Sequence, residues 1–186
     1  MSLLHSMSKS VGFSLGSLGT GRVGITPAVG QALAEAASVC LDERGHLSPT
    51  IIIISGDQDA RATVTWQTPT DQAKRCWNDD QVATEHGAYG VASLLVEQCG
   101  LEVVERSKKK TGFDFWLGDK DNRQHLFQGK SRLEVSGIRN GPKAAVESRV
   151  KQKMKQTEVS DGKLSAVIVV VEFGAPVAKM VERCKK

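Results

Sequence analysis

The 186-residue chain is 40% hydrophobic and 25% charged, the balance of a globular protein rather than of a disordered, collagen-like or disulfide-stapled one. Its longest apolar run, Ala166–Val171, has strand length and falls far short of the roughly 18–20 residues that cross a bilayer, so no membrane association is expected. The net charge of +4 is too small to mark a dedicated nucleic-acid binder, and its distribution is more telling than its size.

One basic cluster is Arg106, Lys108, Lys109 and Lys110. A second runs through Arg139, Lys143, Arg149, Lys151, Lys153 and Lys155, with Glu147 as the acid among them. Such stripes either attract phosphate or form a solvated turn and helix face. Cys40, Cys76, Cys99 and Cys184 lie more than 20 residues apart and form no C-x-x-C pair. That spacing disfavours a structural zinc site and fits buried thiols, at Cys40 and Cys99, in a reducing cytoplasm.

In chain order, residues 1–24 are rich in Ser and Gly and read as a flexible start, followed by a single α/β domain over 25–186. The stretch GTGRVG lacks the Gly-Lys-Ser/Thr ending of a phosphate loop. Thr26 and Pro27 open a helix whose apolar stripe is Val29, Leu33, Ala36, Cys40 and Leu41, stopped by Gly45. Thr50–Gly56 and Arg61–Gln67 read as an antiparallel hairpin that extends the sheet or covers one of its faces. Pro69–Trp77 carries no firm assignment.

Asp80–Gln98 is a strong helix, with Val82, Glu85, Tyr89, Ala92 and Val96 on one face. Strands follow at Leu101–Glu105, Phe113–Leu117 and Leu126–Ser136. Asn140 is a candidate N-cap for a helix over Pro142–Thr157. Ser165–Phe173 is a strand buried on both faces, and the tail reads as a short helix. The last long helix can make a right-handed crossover that sets the final strand parallel to one of the earlier three.

Chemistry concentrates on the long strand. Period-two alternation puts Gln128, Lys130, Arg132, Glu134 and Ser136 on one face. A polar row on a central strand either faces solvent or has partners and a task. Asp114 sits between Phe113 and Phe115, and Glu85 is the one charged member of its helix stripe. Two carboxylates on adjacent strands can hold Mg²⁺, with water filling the remaining positions. A nearby lysine can orient the attacking water and offset phosphate charge.

The order helix–strand–strand–strand–helix–strand, with Glu85 on the first helix and Asp114 opening the second strand, resembles the PD-(D/E)xK nuclease superfamily. The third strand departs from that motif. Ser136 stands where Glu134 would be followed by the motif lysine, and Gln128 stands two residues before Lys130 where a carboxylate is expected. Phe113 replaces the motif proline. The resemblance implies a restriction-endonuclease-like mixed sheet flanked by helices, preceded by the N-terminal helix and hairpin. It implies Mg²⁺-dependent phosphodiester hydrolysis on DNA. Asp114 and Glu134 would be metal ligands, Lys130 the water-orienting amine, Gln128 a supporting group and Glu85 a further carboxylate. Lys143, Arg149, Lys151, Lys153 and Lys155 would track phosphates.

Ser136 at the lysine position equally suits a non-catalytic protein on the same scaffold, an immunity-type or binding protein with a protein partner in a bacterial defence system. The stretches ATEHGAYG, ERSKKKTGFDFWLG and SRLEVSGI also resemble a family of bacterial proteins with no assigned function, which implies a shared fold but brings no activity with it.

Overall fold

The computed structural model describes residues 3–121, 130–158 and 164–183. The chain folds into a mixed eight-stranded sheet flanked by helices, an α/β architecture. In chain order the elements are β1 (Ser10–Ser14), a 3₁₀ turn (Leu15–Thr20), α1 (Pro27–Asp42), β2 (Thr50–Gly56), β3 (Ala60–Thr65) and α2 (Asp71–Cys76). They continue with α3 (Asp80–Gln98), β4 (Leu101–Arg106), β5 (Phe115–Asp119), β6 (Ser131–Ile138), α4 (Lys143–Thr157), β7 (Ala166–Glu172) and β8 (Val177–Arg183). The sheet order is β1-β3-β2-β8-β7-β6-β5-β4.

Capping residues set the helix starts as their chemistry dictates. Thr26 Oγ1 accepts from Val29 N at 3.3 Å, Thr70 Oγ1 from Ala73 N at 3.1 Å, and Asp79 Oδ1 from Gln81 N at 2.9 Å and Val82 N at 3.0 Å. Gly45 ends the α1 region at a φ of 80°, a conformation glycine adopts without strain. Pro142, not Asn140, occupies the N-cap of α4.

The central strand β7 explains the layering. Val167, Val169 and Val171 join the main core beneath α1 and α3. Ala166, Ile168 and Val170 join a smaller core with Val146 and Val150 of α4 on the opposite face. A strand covered on both sides reads as an unbroken apolar run, as AVIVVV does. The crossover through α4 sets β7 parallel to β6, the arrangement the sequence led us to expect. Helix α3 crosses β6 at Gly137, where an added Cβ would lie 2.4 Å from the Thr84 carbonyl oxygen. That close approach brings the N-terminal half of α3 against β6.

Several elements differ from the sequence reading. The start of the chain is built into the fold: β1 pairs parallel to β3, and Leu4, Met7, Leu15 and Leu18 are buried. Short apolar residues spaced among Ser and Gly suffice to anchor it, although the composition resembles a linker. The tail is strand β8, antiparallel to β7 and parallel to β2, so it joins the hairpin to the rest of the sheet. Its alternation of buried Ala178 and Met180 with half-buried neighbours has the period of a strand, not a helix. Val29 and Val82 are exposed, although both fall on the expected apolar stripes.

Candidate functional site

The site lies at a notch where two strands part. β5 pairs with β6 from Leu117 opposite Ser131 to Phe115 opposite Leu133. β6 runs on beside β7 as far as Ile138, and this leaves the β5 side of its later residues without a strand partner. Asp114, just before β5, fills the first gap. Its backbone N–H donates to Leu133 O at 2.9 Å, and its Oδ2 accepts from Val135 N at 2.9 Å. The carboxylate thus substitutes for a missing ladder carbonyl and is fixed at the notch.

Helix α3 holds the other oxygen. The Tyr89 hydroxyl lies 3.0 Å from Asp114 Oδ1 and 2.7 Å from Glu85 Oε1. A phenol has one proton, so Tyr89 donates to one of these carboxylates at a time. Burial and the two acids push its pKa upward, which keeps the proton on the phenol. The Tyr89 ring packs edge-on against Phe115 at 5.1 Å.

On β6 the alternation holds over the described part of the strand. Leu133 and Val135 enter the main core. Arg132, Glu134 and Ser136 face α4. Arg132 Nη1 donates to Thr157 O at 3.0 Å, Lys153 Nζ to Glu134 Oε1 at 2.5 Å and Arg149 Nη1 to Ser136 Oγ at 2.7 Å. Arg132, Glu134 and Ser136 therefore do not open to solvent: α4 covers them. Glu134 is 1% exposed, and its Oε2 is buried with no hydrogen-bond donor among the described residues. Burial, followed by the charge of Asp114, raises its pKa to about 7 against the downward pull of Lys153.

These groups line one cavity of about 640 Å³, which takes in Glu85, Tyr89, Asp114, Glu134, Arg139, Arg149, Lys153 and Gln156. Three of the expected site residues, Glu85, Asp114 and Glu134, are thus brought together. Lys130 is not among them. It precedes β6, sits 3.4 Å from Glu105 and lies 5.0 Å above the Trp116 ring, outside the cavity lining. Its expected place beside the two carboxylates is corrected. β6 begins at Ser131, so the alternation that put Lys130 in line with Glu134 was counted from a residue outside the strand. Gln128 lies outside the described residues.

The amine beside the carboxylates is Lys153, which the sequence reading assigned to phosphate tracking. Arg149, Lys153 and Gln156 recur at i, i+4 and i+7 on α4, next to the buried pair Val146 and Val150. That stripe was visible in the sequence; what it faced was not. The other cations point elsewhere. Lys179 Nζ bonds Glu147, whose pKa is lowered by Lys179 and further by Lys143 and Lys151. The five expected phosphate-tracking residues are therefore not one stripe: Arg149 and Lys153 line the cavity, Lys143 and Lys151 flank Glu147, and Lys155 is exposed in the last turn of α4.

Among the described residues no group of three or more His, Cys, Asp and Glu side chains converges as a metal site. Mg²⁺ does not require one, because it keeps several waters and takes one or two carboxylates. Asp114 and Glu134 supply hard oxygen donors, and the partnerless Glu134 Oε2 is the kind of atom a cation would satisfy. The residues present fit that ion. No described helix is long and apolar enough to cross a membrane. Comparison with family models, curated proteins and solved structures returns no match, so function has to be read from this geometry.

Proposed function

We propose that the protein is a PD-(D/E)xK-like nuclease of restriction-endonuclease-like fold that hydrolyses DNA phosphodiesters with Mg²⁺. One observation carries the reading: Glu134, buried and with one oxygen that meets no donor among the described residues, shares a cavity with Asp114, while Lys153 stands 2.5 Å from its other oxygen. Most buried carboxylate oxygens have a hydrogen-bond donor.

Asp114 and Glu134 would hold the ion. Bound there, Mg²⁺ lowers the pKa of a coordinated water and neutralises charge on the phosphoryl group. The chain's own residues do the rest. The Lys153 ammonium has three protons; one serves Glu134 and one Gln156 at 3.2 Å, which leaves one for a phosphate oxygen or the attacking water. It thus takes the part of the lysine that Ser136 displaces. Arg149, held by Ser136, offers its remaining donors to the phosphate in the same cavity. Tyr89 and Val135 N fix the orientation of Asp114, and orientation of this kind contributes to rate because no reorganisation is needed during the reaction.

The test is cleavage of single-stranded and duplex DNA with Mg²⁺ or Mn²⁺, alongside calorimetric titration of the ion. Wild type should bind the ion and cleave. Glu134→Gln and Asp114→Asn should each lose about 100-fold or more in rate, roughly 3 kcal/mol of barrier. Asn retains an acceptor for Val135 N, so the fold should survive. Neither ion binding nor cleavage by the wild type would leave Glu134–Lys153 as a structural ion pair. The non-catalytic binding protein would then be the correct reading.

A further inference from the structure

The β4–β5 connection is a second basic surface, and it opens onto the same carboxylates from the other side. A cavity of about 420 Å³ is lined by Arg106, Ser107, Lys108, Lys109, Lys110 and Gly112, and it shares Phe113's neighbour Asp114 together with Glu134 and Gln156. The larger cavity contains the same Asp114, Glu134 and Gln156. The two concavities therefore meet at the carboxylates, with Arg149 and Lys153 on one side and the loop cations on the other.

The loop is shaped rather than slack. Ser107 N donates to Asp114 O at 2.8 Å and Thr111 Oγ1 to Lys108 O at 2.8 Å, while Lys110 takes a φ of 75°. Arg106 holds its guanidinium 5.0 Å above Tyr89, the residue that contacts Asp114, and 5.3 Å above Phe115. Lys108, Lys109 and Lys110 are exposed, and among the described residues none of them pairs with a carboxylate. Three consecutive unneutralised ammonium groups repel one another unless an anion joins them.

We propose that Lys108, Lys109 and Lys110 bind backbone phosphates of a nucleic-acid strand that runs from the Arg149 side, across Asp114 and Glu134, onto this loop. This rests on the nuclease reading for what happens between the two cavities. The loop itself is a phosphate-binding arm whichever chemistry follows. A phosphodiester backbone is the occupant that suits both cavities at once, because each presents cations and the carboxylates separate them.

The experiment is fluorescence anisotropy of a labelled 20-mer, single-stranded and duplex, with the full-length protein in EDTA so that no cleavage intervenes. Wild type and a Lys108→Ala/Lys109→Ala/Lys110→Ala variant are compared from about 30 to 200 mM salt, after circular dichroism confirms that both are folded. The variant should bind about 10-fold or more weakly at the low-salt end, and its slope of log K against log salt should shrink by about 2–3. Equal affinity and slope for the two proteins would overturn the proposal, as would no DNA binding by the wild type. Displacement of the oligonucleotide by poly-glutamate at an equal charge concentration would also overturn it, since an acidic protein would then be the ligand. Because no metal is present, the outcomes separate from those of the cleavage test. A loop-dependent binder that never cleaves sinks the nuclease reading alone, and a cleaving enzyme indifferent to the triple substitution sinks this proposal alone.

Discussion

Two glutamates on neighbouring strands are buried to nearly the same degree, and their surroundings could hardly differ more. Glu172, at the end of β7, is 2% exposed. Its Oε1 accepts from Gly174 N at 2.6 Å and Gly141 N at 3.3 Å, and its Oε2 from Ala175 N at 2.7 Å. Every donor is a backbone N–H, so the carboxylate ties the β7–β8 turn to the connection that leads into α4. Glu134, in β6, is 1% exposed, has one oxygen on Lys153 and the other on no donor among the described residues, and lies against the Asp114 carboxylate. A buried acid that is fully bonded stabilises its surroundings; a buried acid left half bonded beside a second acid costs stability and needs a compensating use. The contrast marks Glu172 as architecture and is what the role proposed for Glu134 rests on.

The largest expected effect sharpens this contrast directly. Glu172→Ala leaves three N–H groups without acceptors and should lower stability by about 2–4 kcal/mol in urea denaturation. Glu134→Gln removes a poorly compensated charge and should stay within about 1 kcal/mol of wild type, or rise above it, at neutral pH. A loss at Glu134 as large as at Glu172 would break the comparison, because it would make the Lys153 ion pair structural.

The pH dependence is the next effect in size. The Glu134 pKa is raised by the fold from 4.5 to about 7, so between those values the folded state binds more proton than the unfolded one. Stability from this group is therefore fully present below about pH 4.5 and is lost as pH rises through about 7, by roughly 3 kcal/mol at most. The difference between wild-type and Glu134→Gln stabilities, measured without divalent ions, should show that fall. A difference that is flat across this window would mean that Glu134 titrates normally.

Lys153→Met should act through the same group and more weakly. It removes the cation that opposes the upward shift, so the midpoint of Glu134 should move higher still. At pH 8 the variant should lose about 1–3 kcal/mol, less than a fully buried pair would, since Lys153 retains 19% exposure. At pH 5, with Glu134 protonated, most of that loss should vanish.

Much of this fold could be read from residue patterns. The caps at Thr26, the AVIVVV run of β7 and the β2–β3 hairpin are local signals, and local signals survive folding. β1 and β8 were missed because their strand character depends on partners distant in sequence: Ser10 faces Arg61, and Val177 faces Ile53. The site divides the same way. Asp114 stood out as an acid between aromatics and Glu134 as a member of the polar row, and the cavity unites them. Alternation nominated Lys130, but a count of every second residue holds only inside the strand, and β6 begins at Ser131 rather than at Leu126. Lys153 comes from a helix 19 positions away, and only the packing of Val146 and Val150 turns it toward Glu134.

The smallest effect tests whether the α4 cations divide as their surroundings suggest. Lys143 and Lys151 flank Glu147, which also bonds Lys179, so their charge is partly answered within the protein. Arg149 and Lys153 line the cavity instead. Counterion release counts only cations that meet phosphate. Lys143→Gln/Lys151→Gln should therefore change the salt slope of DNA binding by less than about 1, whereas Arg149→Gln alone should lower it by about 1. The double variant removes two charges and is expected to lose less slope than Arg149→Gln, which removes one, so total charge cannot explain the predicted order. If the double variant lost more of the slope than Arg149→Gln, the strand would run along the Glu147 side of α4 rather than through the notch between β5 and β6.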